Sequence, residues 1–202
     1  MTHPENVLVG IFVGGRSSRM GRPKGRVRDG QGVGLLARLV EEAGAAGHEV
    51  VLVGDATPYA TLAPTLRRIP DAPGIEGPMA GLLALLEAAG SRRAIALACD
   101  MPFVDRTTLR ALASVASEAP AIAARAGEEA PYEPFLARYD APRLLPIVRA
   151  SASSGERSLQ RLLRSVGTEA FVPSDPRVLA DWDTPEDVER GGGTFDDEPA
   201  KP

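Results

Sequence analysis

A chain of 202 residues, 44% hydrophobic and 25% charged, is long enough for one well-buried α/β domain and short for two. Its formal net charge of -4 lacks the basic excess of a general nucleic-acid binder, and a single cysteine, Cys99, excludes an intramolecular disulfide and gives no sign of an oxidising compartment. The opening Met-Thr-His-Pro-Glu-Asn has no basic region and the apolar run after it is far too short for a membrane helix, so a cytoplasmic protein without a membrane partner is expected.

Residues 7–13 read Val-Leu-Val-Gly-Ile-Phe-Val, the near-continuous apolar run of a strand buried on both faces of a parallel sheet. Gly14, Gly15 and Gly21 then let backbone N–H groups approach a ligand with no Cβ in the way. From Gly14 to Arg28 the charged residues are Arg16, Arg19, Arg22, Lys24, Arg26 and Arg28, all positive. Like charges repel, so such a concentration is favourable only around a shared anion, and the chemistry is that of a polyphosphate site. Ser17 and Ser18 supply loop hydrogen bonds. The spacing is neither that of a Walker loop nor that of a dinucleotide fold.

Residues 35–46 carry apolar side chains at helical spacing and stop at Gly47; 49–54 read as a strand, and 66–70 as a short one ending at Asp71. Gly77-Pro78-Met79-Ala80-Gly81 opens a Leu- and Ala-rich helix to about residue 89, with Pro78 suited to its first turn. A buried strand over 94–98 ends in Cys99-Asp100-Met101-Pro102, and 105–119 reads as a helix. Beyond 121 the pattern breaks into shorter pieces: 121–126 and 134–139 as a hairpin, helices at 142–152 and 158–166, and strands at 169–172 and 178–182. Thr184-Pro185-Glu186-Asp187 has an N-cap, a first-turn proline and an acid three residues on. The alternation predicts βαβ units in a single Rossmann-like, three-layer α/β/α domain with a mostly parallel sheet, over residues 7–190. The glycine-, acid- and proline-rich segment 191–202 is expected to stay disordered.

In such a sheet, ligands bind beyond the carboxyl ends of the strands, which singles out the loop from Gly14, Gly54, Asp71 and Asp100. Asp100, ending a strand before Met-Pro, is either a Mg²⁺ ligand or a cap for the next helix; the cationic loop on the same edge favours the metal. Cys99 reads as a packing residue, and His3 and His48 sit where a catalytic histidine is not expected.

The stretch from Gly14 to Lys24 resembles the Gly-Gly-x-Ser-x-Arg-Met-Gly-x-x-Lys signature of the molybdenum cofactor guanylyltransferase family of nucleotidyltransferases. Phe12-Val13 stands where that family has Leu-Ala. Cys99-Asp100-Met101-Pro102 is similar to its metal-holding segment, Gly77-Pro78-Met79-Ala80-Gly81 to a motif of its guanine-specific branch, and Asp71 to its nucleoside-contacting aspartate. The resemblance implies a nucleotide site made of Phe12, Val13, Gly14, Gly15, Ser17, Arg19, Gly21, Lys24, Asp71, Gly77, Pro78, Gly81 and Asp100, with Lys24, Arg19 and Asp100 as catalytic groups and Mg²⁺ as cofactor.

Asp181-Trp182-Asp183-Thr184-Pro185-Glu186 occupies the place of the family's Asn-x-Asn-Thr-Pro-Glu. Asp183 either completes the metal site or organises the helix start. Glu133 and Arg157 fall in segments that receive the second substrate in the family, although Arg157 reads equally as a surface arginine. The implied reaction transfers GMP from GTP to the terminal phosphate of molybdopterin or molybdenum cofactor and releases pyrophosphate, with transient contacts to molybdoenzymes or other cofactor-biosynthesis proteins. The alternatives are a CTP- or sugar-phosphate-using enzyme of the same fold and a noncatalytic carrier of nucleotide or pterin. Residue 54, where the guanine branch often has asparagine, is glycine.

Overall fold

A computed structural model describes residues 7–14 and 24–195 of the chain. Seven strands form one sheet in the order β3-β2-β1-β4-β6-β5-β7. The first four, β1 (Leu8–Phe12), β2 (Glu49–Val53), β3 (Arg67–Ile69) and β4 (Arg93–Ala98), run parallel. Next to β4, β6 (Glu133–Asp140) runs antiparallel; it pairs with β5 (Ala121–Ala124) as the expected hairpin, and β7 (Glu169–Phe171) closes the far edge parallel to β5.

The period-2 alternation of β1 explains the layering. Val7, Val9, Ile11 and Val13 point into one core with α1 (Leu35–Ala45) and α3 (Arg106–Ser114), while Leu8 and Phe12 point into the other. That second core is covered by α2 (Pro78–Ala89), α4 (Ala141–Ser153) and α5 (Leu159–Ser165). Helix α2 is buried on almost every side, from Met79 through Leu82, Leu83, Leu85 and Leu86, as an all-round apolar helix between a sheet and another helix must be. The three-layer α/β/α expectation holds.

The first turns of three helices are fixed by side-chain caps: Asp105 accepts from Thr108 N (2.8 Å), Asp140 from Arg143 N (3.2 Å) and Ser158 from Arg161 N (3.3 Å). The short α6 (Pro185–Arg190) begins with a full capping box between Thr184 and Asp187.

Three expectations need correction. Helix α3 stops at Ser114 rather than 119, because the buried Arg138 guanidinium donates to the carbonyls of Leu112 (3.2 Å) and Ala113 (2.6 Å), using acceptors that a further turn would have needed. Residues 178–182 are no strand: Asp175 caps a 3₁₀ turn over Pro176–Leu179, accepting from Arg177 N at 2.9 Å, and the chain then runs extended into the next helix. The folded part also passes the expected boundary at 190, since Thr194 pairs antiparallel with Arg28 and Gly193 N donates to Val188 O at 2.8 Å.

Candidate active site

The carboxyl ends of the parallel strands open into a cavity of about 860 Å³. Its floor depends on a close approach of two strand ends. Gly54 has φ +94°, and a Cβ there would stand 2.8 Å from the Cα of Gly14. No side chain fits residue 54, so β1 and β2 deliver bare backbone to the cavity edge. The absent asparagine therefore follows from local packing.

Lys24 enters at the start of a 3₁₀ turn, Lys24–Arg26, which two loop residues hold in place. Gly25 N donates to the hydroxyl of the buried Tyr59 at 3.1 Å, and Arg26 donates from Nε and Nη2 to the carbonyl of Pro58 at 3.2 and 2.9 Å. The Lys24 ammonium thus reaches across to two carboxylates, Asp100 Oδ2 at 2.7 Å and Asp183 Oδ1. Burial alone would lower the lysine pKa, but the hydrogen bonds and charges of Asp100 and Asp183 outweigh it and leave the group above its ordinary value. It is an ammonium ion at neutral pH.

Four more acids line the same cavity: Asp55, Asp71, Glu133 and Asp181. The Asp181 carboxyl is pushed up by burial and then by the charges of Asp183 and Asp100, with Lys24 opposing. Glu133 is pushed up by burial, against a hydrogen bond from Phe135 N, and further by Asp181 and Asp100. Asp71 is raised by burial alone. The described part of the cavity is therefore acidic, and one lysine does not balance it. A polyphosphate would be repelled by this arrangement unless it arrived with a cation.

The donor chemistry fits that requirement. Asp100 and Asp183 converge on one ammonium, and two carboxylates completed by water and phosphate oxygens suit a hard divalent cation. Among the described residues no group of three or more His, Cys, Asp or Glu is placed to hold a metal ion by itself.

Of the expected site residues, Phe12, Val13, Gly14, Lys24, Asp71 and Asp100 all line this cavity. Gly77, Pro78, Gly81, Glu133 and Asp183 join them. Gly15, Ser17, Arg19 and Gly21 lie outside the described residues. Arg157 is not brought in: its guanidinium pairs with Glu76 at 2.8 Å on the exposed surface. Cys99 is buried with its thiol pushed up to about 12 by burial and by Asp100, which suits packing and not nucleophilic work.

The structure adds Tyr59, Asp55, Phe135 and Asp181 to the lining. Asp181 was legible, since it shares an extended segment and a face with Asp183. Phe135 packs its ring on Phe12 with centroids 4.9 Å apart, a contact across β1 and β6 that no local pattern announces.

The chain is similar to several known proteins. The family described as MobA-like NTP transferase domain matches residues 9–170. A molybdenum cofactor guanylyltransferase of Pseudomonas putida is 33% identical over 181 residues, covering 87% of this chain and 92% of the relative. A probable molybdenum cofactor guanylyltransferase of Trichormus variabilis is 31% identical over 202 residues, covering 95% and 93%. The crystal structure of a molybdopterin-guanine dinucleotide biosynthesis protein A from Archaeoglobus fulgidus superposes with a TM-score of 0.76 at 21% identity, covering 92% of this chain and 97% of that one; it attests the fold.

Proposed function

Since the chain belongs to the MobA-like NTP transferase family and is a nucleotidyltransferase, we propose that it transfers GMP from GTP to the terminal phosphate of molybdopterin or molybdenum cofactor. The observation that carries this reading is the Lys24 ammonium held between Asp100 and Asp183 in the lining of a cavity on the carboxyl edge of the sheet. A carrier of nucleotide or pterin needs neither a lysine nor paired carboxylates at that point.

In the reaction an oxygen of the acceptor's phosphate monoester forms a bond to the α-phosphorus of GTP, the bond from that phosphorus to the bridging oxygen breaks, and pyrophosphate leaves. A phosphate monoester is already a competent nucleophile, so the protein's task is alignment and charge neutralisation. Lys24 binds phosphate oxygens once it exchanges a carboxylate partner for them. Gly14 presents unobstructed backbone to the nucleotide, and Asp71 contacts the nucleoside beside Gly77 and Gly81. Glu133 lies on the acceptor's side, at the start of β6. Asp100 and Asp183 would hold a Mg²⁺ ion, which would supply charge neutralisation for the phosphates. The cytoplasmic placement and the transient hand-over of product to a molybdoenzyme remain parts of this proposal.

The base is the point on which a second reading rests. Residue 54 carries no side chain to read a purine, so a cytidylyl enzyme of the same fold is the alternative. Thermal shifts with GTP, CTP, ATP and UTP, each with and without Mg²⁺, decide between them, because a ligand that binds only the folded state raises its midpoint. A Mg²⁺-dependent shift selective for GTP is expected; one selective for CTP moves the assignment to cytidylyl transfer. Pyrophosphate release with molybdopterin as acceptor then tests the chemistry, and Asp100→Ala is expected to abolish it with the far-UV spectrum unchanged. Normal turnover by that variant removes Asp100 from the mechanism.

A further inference from the structure

The segment 191–195 does more than follow the last helix. Trp182 stands between the two cavity acids Asp181 and Asp183 in an extended stretch, so its side chain points opposite to theirs, into a small separate core with Val27, Leu35 and Val188. Its backbone N–H donates to the carbonyl of Asp100 at 2.9 Å, which ties both acid-bearing segments together. Trp182 is 3% exposed, and Gly191 and Gly193 lie against one side of its ring. A Cβ on Gly191 or on Gly193 would lie 2.4 Å from the ring, so both positions must be glycine for the chain to lie flat there. Phe103 closes another side edge-on, with centroids 6.2 Å apart.

Beyond the glycines the chain does not drift away. Thr194 and Arg28 exchange backbone hydrogen bonds of 2.8 and 2.9 Å, and Arg28 lies two residues past the Lys24–Arg26 turn that presents Lys24. One short segment thus touches both halves of the ammonium–carboxylate cluster: Asp183 through Trp182, and Lys24 through Arg28.

We propose that residues 191–195 form a positioning strap that seats Trp182, aims Asp181 and Asp183 into the cavity and holds the Lys24 turn against them. The strap itself touches no substrate. The proposal rests on the nucleotidyl-transfer reading only where it predicts metal and nucleotide binding; the seating of Lys24 is a separate consequence.

The sequence provides two clean reporters, since Trp182 is the sole tryptophan and Lys24 and Lys201 are the only lysines. Wild type is compared with a chain ending at Phe195, a chain ending at Arg190 and full-length Gly193→Ala. Three quantities are read: tryptophan emission, acetylation of Lys24 by an amine-reactive ester located by mass spectrometry, and affinity for Mn²⁺ with GTP by electron paramagnetic resonance. The chain ending at Phe195 is expected to match wild type throughout. The other two are expected to emit at longer wavelength, to acetylate Lys24 several-fold faster, and to bind Mn²⁺ with GTP about 10-fold more weakly, as when a supporting partner of a metal ligand is lost. Should the chain ending at Arg190 not fold, Gly193→Ala carries the test.

Emission that shifts while Lys24 reactivity stays at the wild-type level overturns the proposal, because the strap then merely covers an indole. Unchanged emission overturns it too. If wild type binds no Mn²⁺ with GTP, the transfer reading fails, while the acetylation result still decides whether the strap seats Lys24.

Discussion

At the scale of single residues, Asp183 stands where the family motif that this segment resembles has an asparagine. On the proposed reading, a second carboxylate beside the Lys24 ammonium would strengthen the site's hold on a divalent cation while making the cavity more negative. Asp183→Asn is expected to raise the Mg²⁺ concentration giving half-maximal pyrophosphate release about 10-fold, with the maximal rate largely kept; an unchanged Mg²⁺ requirement would show that Asp183 serves only the start of α6. Glu133 provides a pH test. Its folded-state pKa lies above the ordinary 4.5, so the native protein holds that proton more tightly than the unfolded chain does. The ionised carboxylate thus costs stability, and the cost appears as pH rises from 4.5 through the higher folded value. Glu133→Gln is expected to raise the denaturation midpoint at pH 7.5 and to lose that gain by pH 4. A gain equal at both pH values would exclude the buried charge as its source.

At the scale of elements, what could be read from the sequence and what could not divide along a physical line. The Gly54 crossing illustrates this: φ +94° and a 2.8 Å approach to Gly14 make Gly54→Ala strained and overpacked at once, expected to cost about 2 kcal/mol by urea denaturation and to weaken nucleotide binding. A loss below ~0.5 kcal/mol would mean that the two strand ends part easily. Local patterns were sufficient for β1, α2, β4 and the capping box of α6, because each element's signal lies within its own residues. They also brought Lys24, Asp71 and Asp100 to one edge, since parallel strands present their successors on the same side. The end of α3 was illegible because Arg138 on β6 determines it from another element. Tyr59 was illegible as a site residue because its function is to hold the backbone of Gly25. The triglycine reads as disorder by composition, and only the distant indole beneath it shows otherwise.

At the scale of the whole molecule, the sheet joins a parallel half, ending in Gly14, Gly54, Asp71 and Asp100, to a half that begins with antiparallel β6, and the cavity lies where they meet. The two main cores and the smaller one around Trp182 are apolar and the cavity acids lie outside them, so no ion is needed to hold them together. Chelation is therefore expected to leave the thermal midpoint of the free protein unchanged while abolishing the rise produced by GTP; a chelator that unfolds the free protein would contradict this. The Lys24–Asp183 contact spans 159 positions of the chain, and the strap that steadies it comes later still. On the ribosome, β1, the lysine turn and β4 can all have emerged and paired while the second carboxylate is still unsynthesised or inside the exit tunnel. A nascent chain halted before residue 183 would hold the lysine and Asp100 without the groups that complete the cluster, so on the proposed reading the synthesis of residues 183–195 sets when the site can begin to work.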